Sequence, residues 1–97
     1  MYKIVFTKQA LKDLDKLKNA NISNKAKLLV DVLRENPYQS PPRYERLVGK
    51  LDGILSRRIN IQHRLIYQVY DEQFKEGGVD YQGIVKIIRM WTHYDGL

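Results

Sequence analysis

The 97-residue chain contains no cysteine. Thiol nucleophiles, thiolate metal sites and disulfide staples are therefore excluded, and a small secreted domain usually needs the staples. No apolar run approaches the roughly 20 residues that cross a bilayer as a helix, and the N-terminal MYKIVFTKQA has no signal-like hydrophobic stretch. A cytoplasmic protein without a membrane partner is the expectation. Its three prolines all fall within Pro37–Pro42, which marks that stretch as a rigid, irregular crossing. Acid is short as well: 11 Asp and Glu stand against 17 Lys and Arg, a net charge of +6. On so small a domain this is a substantial positive field, favouring phosphate polymers first and acidic proteins second. At 43% apolar and 29% charged the composition is that of a globular protein. The length allows one domain around one core.

Hydrophobic spacing predicts the elements. Tyr2–Phe6 alternates and reads as a strand. Thr7 caps a helix carrying Ala10, Leu11, Leu14 and Leu17 on one face, and Asn19–Asn21 break it. Ser23 or Asn24 caps a second helix, with Ala26, Leu28, Leu29, Val32 and Leu33 inward and its end near Glu35. Leu51–Asn60 and His63–Asp71 read as a β-hairpin, Asp71–Gly83 as a long polar connection, and Ile84–Tyr94 as an apolar strand inside the sheet. A strand, a helical hairpin and then strands indicate an α+β domain: one antiparallel-dominated sheet with helices on one face.

Arginines concentrate where a site would need them, since every arginine after Arg34 lies at or beyond Arg43. The span YERLVGKLDGILSRRINIQHRLIY, Tyr44 to Tyr67, sets Arg57, Arg58 and Arg64 on two strand-like runs, with Glu45 and Arg46 just upstream. Guanidinium groups suit bidentate phosphate contacts, and a carboxylate suits proton abstraction. Strand parity sends Arg64 to the face away from the helices. A two-residue turn at Ile61-Gln62 would put Arg57 beside Arg64; a bulge or a three-residue turn would substitute Arg58. The last strand ends in Trp91-Thr92-His93-Tyr94. His63 and His93 show no metal-ligand spacing with the carboxylates, and no cofactor is expected. Taken singly, each residue has a plainer reading: Glu45 as a surface ion-pair partner, the arginines as a solvated face, Trp91 as core, His63 as a turn residue.

Taken together, the motif S-R-R-I-x-x-x-H-R-L-I-Y (Ser56–Tyr67), the upstream Glu45 and the terminal His93-Tyr94 resemble the YoeB/Txe branch of the RelE superfamily of toxin–antitoxin toxins. The resemblance covers nearly the whole chain. It implies a RelE-like fold and a ribosome-dependent endoribonuclease that cuts messenger RNA in the A site. It also implies Glu45 as general base, Arg64 as the phosphate-stabilising arginine, His93 as general acid, Tyr94 as the neighbouring aromatic and Arg58 as a further site arginine. With Arg46, Lys50, Arg57 and Trp91, Arg58 makes up the expected RNA-contacting set. Its implied partners are the ribosome, messenger RNA and a cognate antitoxin whose acidic segment covers the basic face. Whether the free chain is a monomer or a homodimer is left open. Three features depart from the family pattern: the long Asp71–Gly83 connection, Arg46 in place of a proline, and three residues after the His-Tyr pair. Two other classes compete: a non-catalytic ParE-like toxin, which would lack that terminal pair, and a basic nucleic-acid- or ribosome-binding domain.

Overall fold

The computed structural model describes residues 1–47 and 53–92; the expectations for Lys50, His93 and Tyr94 fall outside them. The chain runs β1 (Tyr2–Phe6), α1 (Lys8–Asn19), α2 (Ser23–Glu35), β2 (Tyr44–Arg46), β3 (Ile54–Arg58), β4 (Arg64–Tyr70), β5 (Phe74–Glu76), β6 (Val79–Tyr81) and β7 (Gly83–Thr92). Five strands form one sheet in the order β1-β7-β4-β3-β2. Its β1–β7 pair is parallel and the others are antiparallel. The α+β expectation holds, with both helices packed on one face.

That face is chosen by alternation. Leu55, Leu65 and Tyr67 join Val85 and Ile87 in the core with Ala10, Leu17, Ala26, Leu29, Val30 and Leu33 from the helices. Ser56, Arg58, Arg64 and Ile66, one residue out of phase, belong to the opposite face. The helical stripes are narrower than predicted. Leu11 and Leu28 are 50% and 65% exposed, because α2 buries Ala26, Leu29, Val30 and Leu33 at three- and four-residue steps, and position 28 falls outside that arc. In α1 the inward set is Ala10, Asp13 and Leu17. The predicted cap of α1 is present: Thr7 Oγ1 accepts from the Ala10 N–H at 3.0 Å and donates to the Ile88 carbonyl of β7 at 2.8 Å. For α2, Ser23 is the first helical residue and Ile22 holds the cap position without a side-chain bond.

Two elements escaped the sequence reading. β2 is a three-residue edge strand, pairing Tyr44 with Arg57, Glu45 with Ser56 and Arg46 with Leu55. The supposed polar connection after Asp71 contains a separate hairpin, β5–β6. Gly77 and Gly78, at φ 56° and 79°, supply the left-handed turn that a two-residue hairpin demands. Phe74 and Tyr81 stack across the hairpin at 5.0 Å, and Glu76 ion-pairs with Lys3 of β1. Gly83 then opens β7 where a Cβ would stand 2.1 Å from the Tyr70 carbonyl oxygen, so only glycine fits. Asp71, at the end of β4, accepts from the Tyr2 hydroxyl at 2.7 Å and the Tyr38 hydroxyl at 2.6 Å. Burial, followed by the bond to Asp71, pushes the Tyr2 phenol up to about 12, so it remains a donor at any physiological pH.

Candidate active site

The turn between β3 and β4 decides which arginine meets Arg64. The Ile59 and Asn60 N–H groups both donate to the His63 carbonyl, at 2.9 and 3.2 Å. The Asn60 side-chain oxygen accepts from the N–H groups of Gln62 (2.9 Å) and His63 (2.7 Å). The asparagine thus stabilises a connection one residue longer than the two-residue turn. Arg58 consequently stands opposite Arg64. The two-residue alternative, with Arg57 beside Arg64, is corrected by this register.

Arg64 is the hub of the opposite face. Its Nη1 donates to Ser56 Oγ at 3.1 Å, and its Nη2 lies 3.5 Å from the Glu45 carboxylate. Its side chain is only 13% exposed against 36% for Glu45, so the guanidinium is held by its surroundings while the carboxylate is accessible. Ser56 is fully buried beneath them. A cavity of about 350 Å³ is lined by Glu45, Ser56, Arg58 and Arg64, together with Pro42, Arg43, Lys25 and Leu29. That is the volume of a small-ligand pocket.

The other expected contacts are distributed differently. Arg57 is fully buried on the helix side, its donors taken by backbone carbonyls and the Tyr67 hydroxyl. It has no place in the cavity beside Arg64. Arg46 shares its register face with Tyr44, away from Glu45, and its guanidinium carbon lies 6.0 Å from the Tyr38 ring. Trp91 packs against the core and stacks on the His63 ring at 4.0 Å. His63, 4% exposed, also bonds through Nδ1 to the Trp91 carbonyl, which makes it structural, as read from its place at the turn. The cavity adds two cations that sequence reasoning missed. Arg43 had a signal, since it lies two residues before Glu45 and shares its parity. Lys25, on an exposed turn of α2, had none that separates it from a solvated lysine. Among the described residues no group of three His, Asp or Glu side chains could hold a metal ion.

The family model described as "YoeB-like toxin of bacterial type II toxin-antitoxin system" matches residues 6–94. The chain belongs to the YoeB-like toxins. Toxin YoeB of Streptomyces coelicolor is 40% identical over 47 residues, 48% of this chain and 55% of that one. The match thus spans about half the length of this curated YoeB relative. The solved YoeB/ParE toxin from Agrobacterium tumefaciens superposes with a TM-score of 0.76 at 26% identity, over 95% of this chain and 99% of that one. YoeB of Staphylococcus aureus has been solved as a dimer (TM-score 0.73, 28% identity, 96% and 98% covered). It has also been solved as a YoeB-YefM complex (TM-score 0.70, 28% identity, 97% and 99% covered). The YoeB-like fold therefore extends over nearly the whole chain.

Proposed function

We propose that this type II toxin is an endoribonuclease that cuts messenger RNA in the ribosomal A site by general acid–base chemistry. The observation that carries the reading is the convergence of Glu45, Arg58 and Arg64 on one cavity. RNA brings its own nucleophile, the 2′-hydroxyl. Glu45 takes the hydroxyl proton, and the freed oxygen attacks the adjacent phosphorus. Negative charge grows on the non-bridging oxygens, where Arg64 and Arg58 meet it. The P–O5′ bond then breaks and the 5′-oxygen gains a proton. The family resemblance gives that donation to His93, an imidazole being a side chain suited to passing a proton. Tyr94 stands next to it in sequence as the stacking aromatic. The products are a 2′,3′-cyclic phosphate and a 5′-hydroxyl end.

The test is a messenger carrying hydrogen in place of the 2′-hydroxyl at the scissile nucleotide, presented on programmed ribosomes with ribosome-free RNA as control. Cleavage is expected to vanish while binding persists. Cutting of the deoxy message at the normal rate would remove the mechanism. The same uncleavable RNA measures the grip of the cavity. For single strands, every phosphate that a cation ceases to neutralise lowers the slope of log affinity against log salt by about 0.7. Replacing Lys25 and Arg43 together by alanine is expected to free one to two phosphates in this way, and an unchanged slope would exclude both side chains from the RNA path.

An unguarded cationic cavity calls for a cognate antitoxin with an acidic segment laid over it. The staphylococcal relative's assembly with YefM supports this partner class. Among the described residues no helix is long and apolar enough to cross a membrane. The partners that this reading calls for are the ribosome, its message and the antitoxin, in the cytoplasm.

A further inference from the structure

We propose that the buried Arg57 is a positioning residue for Glu45, a role that rests on reading Glu45 as the general base. Glu45 occupies the middle of a three-residue edge strand with β3 as its single neighbour in the sheet. So short a ladder constrains a side chain weakly, and the lead-in to β2 has to do the rest. That lead-in contains Pro37, Pro41 and Pro42. Prolines have no N–H and cannot join a ladder, while their carbonyls still need donors.

Arg57 supplies those donors. Its Nη2 donates to the carbonyls of Pro37 at 3.0 Å and Gln39 at 2.8 Å, and its Nη1 to that of Pro42. Its Nε donates to the Tyr67 hydroxyl at 3.1 Å, which in turn donates to the Pro37 carbonyl at 2.8 Å. The guanidinium carbon lies 4.9 Å from the centre of the Tyr44 ring, a cation–π distance. One planar fork therefore grips the lead-in at both ends and touches the residue immediately before Glu45. The Ser56-Arg57-Arg58 run then divides its work by alternation. Ser56 and Arg58 line the cavity, and Arg57 points through the sheet to hold the strand on which the base sits. Lysine keeps the charge but offers a point, not a fork, and does not span the same carbonyls.

A double-mutant cycle on programmed ribosomes tests this, using single-turnover cleavage rates and message affinity. Arg57→Lys is expected to slow cleavage by up to about 10²-fold, the scale of an ångström-sized misplacement of a catalytic group, with affinity for the message unchanged. In the Glu45→Gln background the same substitution is expected to have little further effect. Equal slowing in both backgrounds, or a loss confined to affinity, would overturn the positioning role. Tyr67→Phe, which removes only the hydroxyl shared by Arg57 and Pro37, provides a milder variant should Arg57→Lys fold poorly. It is expected to show the same non-additivity with a smaller loss, and additive losses there would also overturn the role. Glu45→Gln with unimpaired cleavage would remove the base assignment itself, and the positioning role with it.

Discussion

Arg64→Ala is expected to reduce messenger cleavage by about 10²–10³-fold, the usual consequence of removing one pre-placed donor from a developing oxyanion. The geometry argues for the upper end. Arg64 touches both the buried Ser56 hydroxyl and the Glu45 carboxylate, so under the proposed mechanism its removal deletes a phosphate donor and releases the base together. Arg58 is exposed on the rim of the same cavity, and Arg58→Ala should cost less. The fold should persist, because the Arg64–Glu45 pair is partly exposed, and such pairs contribute at most about 1 kcal/mol. Growth arrest after induction, cleavage rates on programmed ribosomes and a thermal melt together make the check. A folded Arg64→Ala variant that arrests growth undiminished refutes the assignment. Arg64→Lys restores charge without the two-pronged contact, and an intermediate rate would show that geometry as well as charge is used.

The parts of this site that could be read from the sequence are those governed by strong local rules. Alternation placed Arg64 opposite the helices, and helical spacing found both helices. The Glu45–Arg58–Arg64 grouping followed from the family motif, whereas the parity count with a two-residue turn would have chosen Arg57. What defeated the count was one side chain: Asn60 caps its own turn, and a single added residue exchanges the two faces of a strand. β2 was invisible because three residues are too few to display a period. The β5–β6 hairpin was hidden by polar residues that pair with each other outside the main sheet. The burial of Arg57 was illegible for a different reason. A guanidinium needs a set of oxygens to enter a core, and here they come from carbonyls, which every residue has and no sequence pattern marks.

Asp13 was concealed in the same way, and its replacement should have the largest effect on stability. It is fully buried in the inward stripe of α1. One carboxylate oxygen accepts from Arg89 Nε at 2.9 Å and from the Met90 N–H at 3.0 Å, and the other accepts from the Gln9 amide at 3.0 Å. These contacts fall where the β4–β7 register slips, between Arg64 and Ile66 and again between Ile66 and Tyr67. A bulge leaves ladder groups unmatched, and the helix carboxylate takes up the Met90 N–H. The slips also matter for the site. Continuing the Tyr67–Ile87 register by three residues would bring Met90 opposite Arg64, but Thr92 stands there instead, and His93 follows it in sequence. Asp13→Ala would orphan a buried N–H and leave Arg89 unpaired, a loss of about 2–4 kcal/mol. In a domain of this length that corresponds to a fall in Tm on the order of 10–25 °C. Burial by itself would raise the Asp13 pKa, but the Arg89, Met90 and Gln9 hydrogen bonds outweigh it and hold the carboxyl below its ordinary 3.8. A depressed folded-state value means that the contribution is complete above the unfolded pKa and fades as the pH falls through 3.8 toward the folded one. Asp13→Asn keeps an acceptor for Met90 but has no proton to gain. Its deficit relative to the parent should therefore be largest near pH 6 and shrink toward pH 3. A stability gap that stays constant across that range would mean that the ionised carboxylate is not what clamps α1 to the bulge.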